Sequence, residues 1–229
     1  MENPYVEGRV ILIDKPLTWT SFNAVQKVKY ALRKKFSLKK IKVGHAGTLD
    51  PLATGLLVIC TGKKTKIIES IQEQRKEYTG VITLGATTPS YDLETDIDER
   101  FELDHITGAM IEEVAQSFVG EMHQMPPDFS AKKVDGKRAY DLARKGEKPA
   151  LKTKLITIYS FHVDHSSFPE INFRIECSKG TYIRSIAYDF GKALQSGGHL
   201  TELRRTKIGD YSVKDAIDVE EFYDSLEAI

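Results

Sequence analysis

Apolar and polar positions alternate between two spacings along this chain, and each predicts an element. Gly8–Asp14 carries a continuous β-rich apolar run, which predicts a first strand. Phe22, Val25, Val28 and Leu32 then recur at helical spacing. Ser21 stands where an N-cap belongs, and Arg33, Lys34 and Lys35 close the predicted helix on a basic turn. Leu56–Cys60 reads as a buried strand, Lys63–Ile71 as a short helix and Arg75–Leu84 as a loosely alternating strand. Tyr91–Asp104 is acidic and aperiodic, as expected of an exposed loop. Ile106, Met110, Ile111, Val114 and Phe118 mark an amphipathic helix with an acidic polar face.

Pro126 and Pro127 then break regular structure in Gln124–Phe129. Lys132–Lys145 is basic, with Tyr140 and Leu142 anchoring a short helix. Leu155–His165 and Ile171–Ser178 form an expected strand pair turning around Pro169. Thr181–Leu194 follows as a helix with Ile183, Ile186, Ala187 and Phe190 on one side, and Leu200–Ile208 as an extended segment. Strands and helices alternate without a regular βα period. An α+β fold with a mixed, largely antiparallel sheet is therefore expected, in a single domain over residues 1–229.

Composition narrows the class. The chain has 229 residues, 41% hydrophobic and 29% charged, enough for a real core. No apolar run approaches the roughly 20 residues of a membrane helix. The N-terminus lacks the basic and apolar regions of a signal peptide, so a cytoplasmic protein without a membrane partner is expected. Cys60 and Cys177 lie far apart in apolar contexts and are expected as buried, reduced thiols. Cysteine and histidine spacing gives no zinc motif. Thr61–Thr65 resembles the tail of a phosphate loop, but Leu57 stands where its first glycine is required.

Charge changes the picture further. Formal net charge is zero, which by itself speaks against a nucleic-acid partner. The balance is blocked, however: residues 1–80 carry +8, 81–125 carry −9, 126–207 carry +7 and 208–229 carry −6. A neutral chain so patterned can still present a basic face. The acidic blocks Tyr91–Glu121 and Ile208–Ile229 are then expected to lie away from any RNA.

The segment richest in candidate chemistry is Gly44–Gly55. Three glycines permit tight turns and close ligand approach. Asp50 precedes Pro51, which biases it toward extended backbone. A carboxylate in such a loop, just before an apolar strand, suits a rigidly mounted reacting group. An Asx-turn that merely holds the loop is the competing reading of Asp50.

This segment resembles the catalytic motif of the TruB-type pseudouridine synthase family, which modifies the T-loop uridine of transfer RNA. Further segments agree in the family's order: Asp14–Ser21, Lys76–Gly80, Pro126–Arg138, Gly180–Gly191 and Leu200–Thr206. The resemblance runs from about Gly8 to Ala216. It implies the pseudouridine synthase catalytic fold, with a cleft across the sheet. Asp50 would be the catalytic aspartate, paired with Arg184, whose cation favours the ionised carboxylate. Tyr78 would stack on the flipped base and handle a proton. Tyr182 and Leu203 would line the uridine pocket, His45 would hold everted nucleotides, and Lys15 would support the active-site loop. Lys63, Lys64, Lys132, Lys133, Lys137 and Arg138 would contact the RNA backbone, which positions RNA without reading its sequence.

The implied reaction is isomerisation of uridine to pseudouridine in the T-loop, at position 55 of tRNA, after base flipping. Attack of Asp50 on the base and a sugar intermediate both remain open as routes. The resemblance implies no metal and no nucleotide or redox cofactor. The implied partner is tRNA, bound through its T-stem-loop by a monomer with no obligatory protein partner. Another RNA substrate, or a non-catalytic tRNA-folding chaperone, are the alternatives. Three departures stand out. Thr18 occupies a position where the family favours glycine, Ala46 replaces a frequent threonine, and the extra C-terminal RNA-binding domain of bacterial members is not expected here.

Overall fold

The structure, a computed structural model, describes residues 3–227 apart from 131 and 135. The side chains of residues 133, 134, 137, 138 and 227 also lie outside the described set, so the expected RNA contacts of Lys133, Lys137 and Arg138 fall outside it. The chain forms two compact units, one of residues 1–78 and 203–229, the other of residues 79–202.

The first unit begins with α1 (Pro4–Glu7), β1 (Val10–Lys15), α2 (Ser21–Lys35), β2 (Val43–His45) and β3 (Ala53–Thr61). A 3-10 helix over Gly62–Ile67, α3 (Ile68–Glu73) and the start of β4 (Lys76–Leu84) follow. The second unit continues with β5 (Ala86–Thr87), β6 (Glu99–Arg100), α4 (Gly108–Ser117), β7 (Gly120–Gln124), β8 (Lys133–Val134) and β9 (Lys137–Arg138). It is completed by α5 (Ala139–Ala143), β10 (Lys154–Ser167), β11 (Glu170–Cys177), α6 (Ile183–Ala193) and the start of β12 (Gly198–Ile208). The chain then returns to the first unit with the end of β12, β13 (Tyr211–Ser212), β14 (Ile217–Asp218) and α7 (Val219–Glu227).

Pairing in the first unit is mixed. β3 runs antiparallel to β1 and β2, while β12 joins β3 in parallel and β14 joins β1 in parallel. In the second unit β10 pairs antiparallel with both β11 and β7. The fold is α+β with a largely antiparallel, mixed sheet, as the hydrophobic pattern predicts.

β3 explains its own apolar run. Leu57 and Ile59 enter one core with α2 and α7, and Leu56, Val58 and Cys60 enter another with Ile71 and Ile208. A strand alternates faces, so one covered on both sides needs apolar residues at every position. In the second unit the corresponding core is aromatic. Phe161 packs edge-on against Phe118, Phe173 and Phe190, with ring centroids 5.6–6.2 Å apart. Cys60 and Cys177 are both buried free thiols, as expected.

Local details differ from the pattern. Thr20, not Ser21, caps α2, in a capping box with Asn23. Ser21 is instead buried in the first turn, and Phe22 is 66% exposed rather than part of the core stripe. The buried stripe is Ser21, Ala24, Val25, Val28, Ala31 and Leu32. The Lys63–Ile71 segment divides into a 3-10 turn and an α-turn. The acidic loop contains the short strand β6, paired with β5. α7, within the acidic tail, has a helical apolar stripe of Val219, Phe222 and Leu226 that the block reading by charge passes over. No helix among the described residues is long and apolar enough to cross a membrane.

Candidate active site

The loop bearing Asp50 is fixed from several directions by its own unit. Arg205, 1% exposed on β12, donates from Nε to the Leu56 carbonyl at 2.9 Å and from a terminal nitrogen to the Gly47 carbonyl at 2.9 Å. Ser21 Oγ accepts from the Leu49 N–H at 2.8 Å and donates to the Leu49 carbonyl at 3.2 Å. The Thr18 N–H donates to the Pro51 carbonyl at 2.8 Å, and the Ala53 N–H to the Asp50 carbonyl at 3.1 Å. Backbone groups from Gly47 to Pro51 are thus tied to β1, α2 and β12 surroundings, and Asp50 itself is half-buried.

Gly55 explains why β12 can hold this loop. Its φ is +99°, and a Cβ there would lie 2.3 Å from the Arg205 carbonyl oxygen. Only glycine allows that backbone contact. The parallel register sets Gly55 opposite Arg205 and Ala53 opposite Leu203. Leu203 is half-buried, and its carbonyl accepts from Thr54 Oγ1 at 3.4 Å.

Lys15 ends β1 fully buried. Its ammonium donates to the carbonyls of Trp19 at 2.6 Å and Pro16 at 2.9 Å, with Pro51 at 3.5 Å. Desolvation pulls its pKa down to about 8, Asp50's charge opposing and Arg205's cation assisting. A support role for Lys15 therefore has a concrete form: one cation ties the turn after β1 to the residue after Asp50.

His45 ends β2, opposite Ile59. Burial lowers its pKa first, a backbone hydrogen bond with Gly47 opposes, and the Arg205 cation lowers it further. The imidazole is thus kept neutral near pH 7. Tyr78, 9% exposed, lies on β4 of the same unit. Lys63 and Lys64 are exposed, and Lys63 pairs with Glu7 at 2.5 Å.

In the second unit, α6 carries Tyr182 at its N-cap and Arg184 in its first turn. Gln124, 1% exposed, clamps the Tyr182 backbone at both ends. Its Oε1 accepts from the Tyr182 N–H at 2.8 Å, and its Nε2 donates to the Tyr182 carbonyl at 3.0 Å. Arg184, 5% exposed, donates to the carbonyls of Phe129 at 2.9 Å and Ser90 at 3.2 Å. Its Nε lies 3.5 Å from the buried Asp92 carboxylate. Ser185 Oγ donates to the Met125 carbonyl at 2.8 Å. The proline-rich segment therefore seats on the start of α6. Lys132 is half-buried.

Two placements of acidic residues go beyond the reading by charge block. Asp92 belongs to the acidic block, yet it meets Arg184. Glu220 of the acidic tail pairs with Lys27 of the basic helix α2 at 2.9 Å, and Lys34 donates to the Tyr223 hydroxyl at 2.6 Å. The physical reason is neutralisation. A buried arginine and a packed basic helix each need compensating carboxylates or dipoles nearby. The positioning residues Arg205 and Gln124 escape a reading of sequence, because their partners lie 58 or more residues away.

Known proteins resemble this chain over nearly its whole length. The description "TruB family pseudouridylate synthase (N terminal domain)" matches residues 33–183, and "tRNA pseudouridylate synthase B C-terminal domain" matches residues 184–228. The tRNA pseudouridine synthase B of Flavobacterium johnsoniae is 60% identical, over 97% of this chain and 98% of that protein. Its namesake in Phocaeicola vulgatus is 55% identical, over 97% and 95%. A chain from the crystal structure of a Cbf5–Nop10–Gar1 complex superposes with a TM-score of 0.69 at 26% identity. That match covers 96% of this chain and 54% of the solved one, so this chain spans about half its length. Fold and relatives together define a pseudouridine synthase. Within that class, the chain belongs to the TruB family.

Proposed function

We propose that this protein converts uridine to pseudouridine in the T-loop of tRNA, at position 55, with Asp50 as its catalytic carboxylate. The observation that carries the reading is the mounting of Asp50: every backbone carbonyl from Gly47 to Pro51 lies within 3.5 Å of a donor. Such rigidity is what a reacting group needs, since small misplacements cost orders of magnitude in rate. The relatives' name, tRNA pseudouridine synthase B, supports tRNA as the substrate.

In this proposal the T-loop uridine is flipped out of its stack into the pocket. Tyr78 stacks on the base and offsets about 1–3 kcal/mol of the unstacking cost. The resemblance pairs Arg184 with Asp50. Tyr182 and Leu203 line the uridine pocket, and neutral His45 holds the everted nucleotides. Asp50 attacks either the base or the sugar carbon, and the C–N bond breaks; the base rotates, a C–C bond forms as the bond to Asp50 is released, and the proton on the newly bonded base carbon is lost while the freed ring nitrogen gains one. Lys63, Lys64, Lys132, Lys133, Lys137 and Arg138 contact phosphates and set the register of the RNA.

The test is incubation with unmodified tRNA followed by carbodiimide-based mapping of pseudouridine. Product in the T-loop, its loss in Asp50→Asn and retained tRNA binding by that variant are expected. Product elsewhere refutes the substrate, and unaltered product in Asp50→Asn refutes the role of Asp50. Binding without any product in the unaltered protein would leave a tRNA chaperone.

A further inference from the structure

We propose that Lys76 is a positioning residue for the modification reaction: it fixes the start of the strand from which Tyr78 meets the uridine. The inference rests on the reading of Tyr78 given above and assigns that side chain its support.

Lys76 opens β4 and is 6% exposed. A lysine is almost never so buried unless its charge has partners. Here the ammonium donates to the carbonyls of Gln72 and Gln74, the latter at 2.6 Å. Gln72 lies in the last turn of α3, and Gln74 is its C-cap. The last carbonyls of a helix lack intrahelical partners, and a lysine near that end can satisfy them. Lys76 therefore joins the end of α3 to the first residue of β4. A methionine would fill a similar volume and leave both carbonyls without this donor.

The strand carries that anchor to Tyr78. Side chains alternate faces along a strand, so Lys76 and Tyr78 share a face, about 7 Å apart along it. Burial follows the same period: Tyr78 is 9% exposed, and Glu77 between the two is half-buried. The residues on either side of Lys76 are held as well. The Arg75 carbonyl accepts from the Gly209 N–H at 2.9 Å. Thr206 Oγ1 donates to the Glu77 carboxylate at 2.7 Å, with the Glu77 carbonyl at 3.2 Å. Gly209 has φ +52°, and a Cβ there would lie 1.6 Å from Gln74 Oε1. The turn after β12 thus closes on the residue that Lys76 holds. Three consecutive residues before Tyr78 are anchored, and the anchor at Lys76 is a side chain on the face that Tyr78 uses. All of these groups belong to the first unit.

A ring that stacks on a flipped base must stand at the right height and tilt. Release of the Lys76 anchor lets the start of β4 shift and takes Tyr78 with it. A displacement near 1 Å can cost about a hundredfold in rate. The other contacts to RNA are untouched, so the loss falls on kcat rather than on KM.

The test measures kcat and KM for pseudouridine formation in unmodified tRNA, at a temperature where thermal melts show every variant folded. Lys76→Met should lower kcat by about tenfold or more, with KM within about threefold of the unaltered protein. Lys76→Arg keeps a charged donor for the two carbonyls and should recover most of kcat. If Lys76→Met does not fold, Lys76→Gln takes its place, because its amide keeps a neutral donor. Leu226→Ala supplies the comparison for a purely structural loss. Leu226 is buried in the core of α2 and α7, so its truncation should lower the melting temperature and leave kcat unchanged. Full kcat in folded Lys76→Met, equal kcat in the Met and Arg variants, or a matching kcat loss in Leu226→Ala would overturn the proposal. The reading beneath it fails by a different measurement: Tyr78→Leu with full kcat would remove the role of Tyr78 itself.

Discussion

The guanidinium of Arg205 donates to the carbonyl oxygen of Gly47 at 2.9 Å, three residues before Asp50 in the chain. The same side chain reaches Leu56 on the other side of the loop and approaches the Thr48 carbonyl at 3.5 Å. One buried cation therefore spans both ends of the segment that mounts the carboxylate.

Replacing Arg205 by methionine should leave those carbonyls without donors. Each orphaned buried acceptor costs about 1–3 kcal/mol. Denaturant titration should show a loss of several kcal/mol, and kcat should fall by about a hundredfold because the loop relaxes. Arg205→Lys keeps the charge but loses the planar fork, so an intermediate loss is expected. Full activity in Arg205→Met would show that the loop holds itself.

Lys15 makes a prediction about pH. Its pKa in the folded protein is about 8, below the usual lysine value of about 10.4 in an unfolded chain. Between those values the unfolded chain binds more protons, so stability rises with pH across that window. Relative to Lys15→Met, unfolding free energy should be flat below pH 8 and climb from 8 toward 10. Activity should run the other way. Loss of the Lys15 cation beside Asp50 should lower kcat/KM as pH passes about 8, and that limb should be missing from the Lys15→Met profile. A basic limb identical in both proteins would assign it to another group.

Thr18 sits at φ +69°, in the left-handed region that a β-branched residue rarely occupies. This is the position where the family favours glycine, and the backbone gives the reason. Its N–H must face the Pro51 carbonyl, at 2.8 Å. Left-handed backbone costs a non-glycine residue about 1–2 kcal/mol, and glycine's extra freedom when unfolded returns about 0.4–1 of that. Thr18→Gly should therefore gain up to about 1 kcal/mol in denaturant unfolding, with the hydrogen bond and the activity kept. A destabilised Thr18→Gly would mean that the threonine side chain makes contacts outweighing the strain.

How much of this was legible in the sequence depends on the range of the interaction. β3 was legible because burial on both faces demands an unbroken apolar run, and Leu56–Cys60 has one. The α2 stripe was legible in Val25, Val28 and Leu32, but Phe22 shares their spacing while pointing to solvent. Spacing alone does not tell which edge of a stripe faces the core. Thr20 and Ser21 are both good caps by chemistry. Only the contact of Ser21 with Leu49 decides which one enters the helix. Arg184, Arg204 and Arg205 are alike as residue types. Arg205 is buried under the Gly47–Leu56 loop, whereas Arg204 is half-exposed and pairs with Asp14. Those assignments come from strand register, which local sequence does not encode.

Gln124 gives the last prediction, because its amide uses both of its functions on one residue. Its oxygen accepts from the Tyr182 N–H and its nitrogen donates to the Tyr182 carbonyl, so it sets the entry of the chain into α6. Gln124→Glu preserves the acceptor but, when ionised, has no hydrogen to give the carbonyl. Gln124→Leu preserves neither. Each unsatisfied buried group costs about 1–3 kcal/mol, so Leu should destabilise more than Glu by chemical denaturation. Partial compensation is expected in the Glu variant, since a carboxylate near a helix N-terminus regains about 0.3–1 kcal/mol. If Tyr182 lines the uridine pocket, both variants should also raise KM for tRNA, Leu by more. Equal stability loss with unchanged KM would make Gln124 a structural clamp only, and would remove the reason to seat Tyr182 against the base.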